Sequence, residues 1–249
     1  MTPRVLIGAG DTNEARKAGE RVALNAQQGH YLMRVLRLKP GDCIEAFDGL
    51  GNRWQARLAG SQDAPSLELA ERSSSITESP LSIHLGQCLS TAERMDWTVE
   101  KAVELGATSI TPLTSARSQI KLDANRAARK LDHWRSIAQS ACMQSGRDVL
   151  PTVAPIQALE QWVRGAPDAC RLVLDPRASS SLSQVATRNN ARITSIYLLA
   201  GPESGLSEGE LDIALQEGFQ SVRLGPRILR TETAGLAAIA ALQALAGDY

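Results

Sequence analysis

The sequence predicts an α/β protein in two parts: a small β-rich module, then a larger domain with a mostly parallel sheet. Three observations carry this. The first seventy or so residues hold short alternating stretches separated by turn signals. From Leu81 onward, short apolar runs alternate with segments of helical spacing, the order that builds parallel sheets. Between them "ERSSSITESP", residues 71–80, is polar, serine-rich and closed by Pro80. The expected division is 1–72 and 80–249, within a chain of 249 residues that is long enough to bury a proper core.

The elements follow in order. In the first part, "QQGHYLMRVLRL" places Leu32, Val35, Leu36 and Leu38 on a short helix. "LKPGD" is a turn. "CIEAFDGLGNRWQARLAG" alternates on both sides of Asp48-Gly49-Leu50-Gly51-Asn52 and reads as a hairpin, so the module is barrel-like. In the second part, "LSIHLGQCL" is a strand. "ERMDWTVEKAVELGA" carries Met95, Val99, Ala102, Val103 and Leu105 at helical spacing, with Gly106 as the stop. "SITPLTS" is a strand, and residues 125–145 form a long helix. "CRLVLD" and "ITSIYLLA" are strands, the second apolar along nearly its whole length, as strands of covered sheets are. "SEGELDIALQEG" is a helix whose Ser207 and Glu210 form a capping box. "SVRLG" is a strand. "TETAGLAAIAALQALAG" is a final helix, so apolar all round that it must be buried or meet a partner subunit.

Composition narrows the function. With 43% hydrophobic and 22% charged residues the chain is globular, and its apolar runs are too short to span a bilayer. Met1 is followed by Thr2, Pro3 and Arg4 without an apolar leader, so a cytoplasmic protein is expected. Cys43, Cys88, Cys142 and Cys170 are scattered, and His30, His84 and His133 form no ligand cluster, so neither disulfides nor a metal are expected. The net charge is zero, but residues 117–147 carry seven basic side chains (Arg117, Lys121, Arg126, Arg129, Lys130, Arg135, Arg147) against Asp123 and Asp132. Arg34, Arg37 and Lys39 form a second basic cluster. Such patches are solvated faces or phosphate contacts. The N-terminal "IGAGDTN" offers Gly8 and Gly10, but Asn13 replaces the third glycine of a dinucleotide fingerprint, so no such site is expected there.

Chemistry concentrates at two strand ends. Ligands of parallel sheets sit at the carboxyl ends of the strands. Gly201-Pro202-Glu203-Ser204-Gly205 ends one strand, and "LGPRILRTETA", from Leu224 to Ala234, ends another. Glycine allows close backbone approach, and proline fixes φ and removes an N–H. Each turn alone is an ordinary connection. The second also packs Arg227, Arg230, Thr231, Glu232 and Thr233 between a strand and an apolar helix, where polar groups need partners. Cation, hydroxyls and free helix N–H groups together suit an anionic or electron-rich ligand.

"LLAGPESGLSEGEL" followed by "VRLGPRILRTETA" resembles the RsmE family of 16S ribosomal RNA uridine-N3 methyltransferases, members of the trefoil-knotted SPOUT superfamily. "HYLMRVLRLKPGD" and "FDGLGNRW" look like the family's N-terminal PUA-like barrel. "RMDWTVEKAVELGATSITPLTSARSQIKL" and "QSACMQSGRDVLP" look like the start of its methyltransferase domain. The resemblance implies S-adenosylmethionine bound in three loops. By position these supply Leu174, then Leu199, Gly201, Pro202, Glu203 and Gly205, then Leu224, Gly225, Ile228, Leu229, Thr231 and Thr233. It also implies a homodimer through the last helix and 16S ribosomal RNA as partner; no membrane is expected, given the short apolar runs. Arg230 is the candidate for stabilising a developing uridine anion. Glu232 or Glu203 would accept the proton or orient Arg230 and the cofactor. Arg34, Arg37, Arg117 and Arg147 are candidates for phosphate contacts; for Arg117 and Arg147 a structural ion pair is the alternative. One departure stands out. The family pattern reads Gly-Pro-Glu-Gly-Gly, and here Ser204 replaces a glycine, at a local cost of about 1–2 kcal/mol if that φ is positive. Ribose 2′-O methylation, or an RNA-binding assembly factor that no longer transfers methyl groups, are the alternative readings.

Overall fold

The computed structural model describes residues 2–8, 16–73, 77–118, 123–188 and 193–249. Gly10 and Asn13 of the glycine motif, Lys121 of the basic run and residues 74–76 of the serine-rich stretch lie outside the described residues. Two compact units emerge: residues 1–78 with 142–150, and residues 79–141 with 151–249.

The first unit holds β1 (Arg4–Leu6), β2 (Arg21–Ala23), α1 (Ala26–Gly29), a π-helical turn at His30–Val35, β3 (Cys43–Phe47), β4 (Arg53–Gly60) and β5 (Pro65–Ser73). The strands pair in the order β1-β3-β4-β5-β2. The hairpin expected between β3 and β4 is present and antiparallel. Its turn closes because an Asp48 carboxylate oxygen accepts the Leu50 and Asn52 amides at 2.7 and 3.1 Å, while Gly49 and Gly51 take φ of 79° and 99°. Leu32, Ile44, Trp54 and Leu67 fill the core. Residues 142–150 return to this unit through charge pairing. Arg4 and Arg53 each reach Asp148 at 2.7 Å, and Arg4 also reaches Glu45 at 2.5 Å. Asp148 is buried, so its charge needs these two guanidinium groups.

The second unit holds β6 (Ser82–Cys88), α2 (Ala92–Glu104), β7 (Ala107–Thr114), α3 (Ala124–Ser145), β8 (Thr152–Val153), β9 (Gln157–Ala158), α4 (Leu159–Arg164), β10 (Cys170–Leu174), α5 (Leu182–Arg188), β11 (Ser195–Ala200), α6 (Glu208–Gln216), β12 (Gln220–Val222) and α7 (Thr231–Ala246). From Cys142 on, α3 belongs to the first unit. The sheet order is β12-β10-β11-β6-β7-β8, with β9 also on β7, and the recorded pairings are all parallel. The α/β class with a parallel sheet is therefore as expected. β11 runs between β10 and β6, which explains the apolar run of "SIYLLA". Trp162 of α4 lies so close over Gly86 of β6 that a Cβ there would come within 2.8 Å of its ring. Phe219 and Tyr197 complete that aromatic layer, with ring centroids 5.9 and 5.7 Å from Trp162. Packing of α7 against α2, β6 and β11 brings its N-terminus to the carboxyl end of the sheet.

Candidate active site

Three loops leave the carboxyl ends of β10, β11 and β12 and wall a cleft of about 730 Å³. This is where an open parallel sheet offers a ligand site. Leu174 to Arg177 form the first wall, Ala200 to Leu206 the second, and the segment from Val222 to Thr231 the third.

The second wall is a tight turn. The Gly205 amide donates to the Pro202 carbonyl at 2.9 Å, and Gly205 takes φ of 72°. Ser204 does not: among the described residues Arg37 is the one non-glycine with positive φ. The serine is therefore unstrained. Its hydroxyl donates to the Arg117 carbonyl at 3.2 Å, and the Arg117 guanidinium donates back to the Ser204 and Leu206 carbonyls at 3.2 and 3.3 Å. Arg117, expected as a phosphate contact or an ion-pair partner, thus braces this turn and lines the cleft.

The third wall turns at Gly225, with φ of 110°. A Cβ built at Gly205 or Gly225 would meet nothing within 4 Å, so bare backbone faces open space at both loops. Arg230 then caps α7 in extended conformation, its carbonyl accepting the Thr233 and Ala234 amides at 3.0 and 2.8 Å. Thr231 joins the walls. Its hydroxyl donates to the Gly201 carbonyl at 2.6 Å and accepts from the buried Gln87 amide at 2.9 Å. The Arg230 side chain is exposed and lines the cleft, and its guanidinium has no partner among the described residues.

The carboxylates do not pair with Arg230. Both Glu203 and Glu232 pair with Arg94, Glu232 through Oε1 at 3.5 Å from Arg94 Nε. Glu232 does not line the cleft, whereas Arg94 does. Of the expected cofactor contacts, Leu174, Gly201, Pro202, Glu203, Gly205, Leu224, Gly225, Ile228, Leu229 and Thr231 come together around the cleft. Leu199 lies in the core beneath it, and Thr233 is outside its lining. Sequence reasoning missed Arg94, Arg177 and Arg223, which also line it. A signal existed for Arg94 alone: a cation in the first turn of a helix opposes the helix dipole.

Elsewhere, Arg34 and Arg37 are exposed on the first unit beside Val35 and Leu36. Arg147 is buried, and its guanidinium meets Glu78 at 2.6 and 3.1 Å. The fold uses that cation internally, as the ion-pair alternative had it. Cys88 and Cys142 cannot serve as nucleophiles at neutral pH, because burial pushes their thiols up to about 12 and about 11. No metal-binding group of His, Cys, Asp and Glu occurs among the described residues.

The family model for an RNA methyltransferase domain matches residues 77–243, and that for an RNA methyltransferase PUA domain matches residues 24–69. The ribosomal RNA small subunit methyltransferase E of Synechocystis is 35% identical over 90% of this chain and 73% of its own. That of Buchnera aphidicola from Acyrthosiphon pisum is 32% identical over 91% of this chain and 88% of its own. The chain belongs to the ribosomal RNA small subunit methyltransferase E family. A family structure from Neisseria gonorrhoeae, bound to S-adenosylmethionine, is 37% identical and covers 100% of both chains at a TM-score of 0.89. A Legionella pneumophila methyltransferase, also with S-adenosylmethionine, is 33% identical and covers 100% of both chains at a TM-score of 0.91. No helix among the described residues is long and apolar enough to cross a membrane.

Proposed function

We propose that this protein methylates N3 of a uridine in the 16S ribosomal RNA of the small subunit, using S-adenosylmethionine. The observation that carries the reading is the cleft itself: three successive loop walls, two of them with bare backbone, and the exposed Arg230 guanidinium lining it. Leu174, Leu224 and Leu229 give apolar surface for a purine, and backbone at Gly205 and Gly225 gives hydrogen-bonding groups beside it. S-adenosylmethionine supplies a methyl group activated by a sulfonium.

The protein's own task is positioning and charge. The N3–H proton passes to water, and the freed lone pair forms the new N–C bond as the S–C bond breaks in line and its electrons return to sulfur. Loops fixed to one another by Thr231 and Gly201 hold the two reactants in register. Arg230, with no carboxylate partner among the described residues, stabilises the negative charge that grows on the uracil as the proton leaves. Ser204, unstrained and bonded to Arg117, gives no reason to read the loop as damaged, which disfavours a non-catalytic factor.

Two further parts belong to the same reading. RNA is held by the exposed Arg34 and Arg37 on the PUA-like unit. A homodimer in the cytoplasm, knotted as in its superfamily, covers the apolar α7 face, where Leu236, Ala237, Ala240 and Ala241 are only half-buried and Leu245 is exposed.

Calorimetry with S-adenosylmethionine, paired with methyl transfer onto small subunits, tests the proposal. We expect micromolar binding in both native protein and Arg230→Ala, with transfer by the variant slower about 100-fold, as when a charge-stabilising donor is lost. Full activity in Arg230→Ala removes this residue from the mechanism. Absence of binding to the native protein overturns the reading.

A further inference from the structure

We infer that Arg94 is a positioning residue: it braces the second and third walls of the cleft against each other and neutralises two carboxylates beside it. The inference rests on the reading of the cleft as a methyltransferase site. Arg94 reaches the cleft from α2, an element that contributes none of the three loops. Its guanidinium lies between Glu203, from the loop after β11, and Glu232, from the first turn of α7. The loops already meet where Thr231 bonds the Gly201 carbonyl. Arg94 adds a second contact between them, through the side chains of Glu203 and Glu232.

The charges make the brace more than a convenience. Glu232 is largely buried, and its Oε2 has no partner among the described residues. Arg94 is its recorded cation, so deleting the guanidinium leaves a low-lying carboxylate uncompensated beside a site meant for a polyanion. Glu203 lines the same cleft and depends on the same cation. An arginine suits this position because its planar fork can address two acceptors at once, whereas a lysine ammonium presents a point charge. It also explains why a cation is kept in the first turn of α2, against the helix dipole.

Binding and kinetics separate this role from a general loss of structure. In Arg94→Ala we expect the dissociation constant for S-adenosylmethionine to rise about tenfold, the scale of a charge-assisted hydrogen bond. We expect the melting temperature to change by no more than a few degrees, and the KM for small subunits to rise less than kcat falls. Arg94→Lys restores part of the cofactor affinity. Because Glu203 meets the third wall through Arg94, Arg94→Ala combined with Glu203→Gln loses no more than Arg94→Ala alone. Strictly additive losses in that double variant, or native cofactor affinity in Arg94→Ala, overturn the brace. If Arg94→Ala does not fold, Arg94→Lys carries the test: native affinity and native kcat there show that the fork is not used. Failure of the native protein to bind S-adenosylmethionine sinks the methyltransferase reading; failure of these variants to differ sinks only the role of Arg94.

Discussion

One residue type, arginine, takes on different tasks according to what surrounds it in the fold. Arg230 lines the cleft with no partner among the described residues, Arg117 donates to two carbonyls of the loop after β11, and Arg147 pairs with Glu78 inside the first unit. None of these assignments follows from residue type, and those of Arg117 and Arg147 depend on residues distant in sequence: 87 positions separate Arg117 from Ser204, and 69 separate Arg147 from Glu78. Glu232 shows the same limit. "RTET" suggests a local pair with Arg230, yet the carboxylate turns to Arg94 on another helix. The concern over Ser204 is resolved by one angle, since its φ is not positive and a serine there costs nothing in strain. For Arg147, truncation leaves Glu78 short of its buried partner. Arg147→Ala should lose about 3 kcal/mol in chemical denaturation of the full chain, the scale of a broken buried pair. A loss below about 1 kcal/mol would return the residue to the class of weak surface pairs.

At the scale of elements, long periodic segments were legible and short ones were not. α2, α3, α6 and α7 announce themselves by spacing and stop signals, and Ser207 and Glu210 form the expected capping box. β1 and β2 are three residues each, too short to show an alternation, and α4 covers barely two turns. Their reality depends on long-range pairing, such as Arg4 with Glu45 across the sheet. The second and third loop walls were legible because Gly-Pro turns are rigid and local, whereas the first, from Leu174 to Arg177, contains none. β6 carries a pH dependence that the sequence did not suggest. His84 stacks on Tyr197 at 4.5 Å between ring centroids, its Nδ1 lies 2.8 Å from the Ser109 hydroxyl, and burial holds its imidazole below the usual 6.5. The unfolded chain then takes up the proton more readily than the folded one. Stability from neutral His84 is complete above pH 6.5 and falls as the pH drops below that value. The melting temperature of the native protein should therefore fall more between pH 7.5 and pH 5.5 than that of His84→Gln, by about one to a few degrees. Parallel pH profiles for the two proteins would show that burial does not perturb this histidine.

For the whole molecule, the distribution of charge says more than its sum. A net charge of zero suggests no attraction to nucleic acid, yet Arg94, Arg117, Arg177, Arg223, Arg227 and Arg230 gather around one cleft and Arg34 and Arg37 stand on the surface of the other unit. Gathering of this kind is invisible in composition, because α2 and three separate loops supply it. The division of the chain shows the same blindness. Residues 142–150 pack with the first unit because Asp148 draws in Arg4 and Arg53, a pairing written across more than ninety residues. What the cleft does to RNA comes down to one atom of one nucleoside. Small subunits from cells lacking this protein should be methylated in vitro with isotopically labelled S-adenosylmethionine and their ribosomal RNA digested for mass spectrometry. We expect the label on the base of a single uridine of 16S ribosomal RNA, as 3-methyluridine. Label on a ribose 2′-oxygen, or no label with active cofactor-bound protein, would contradict the proposed reaction.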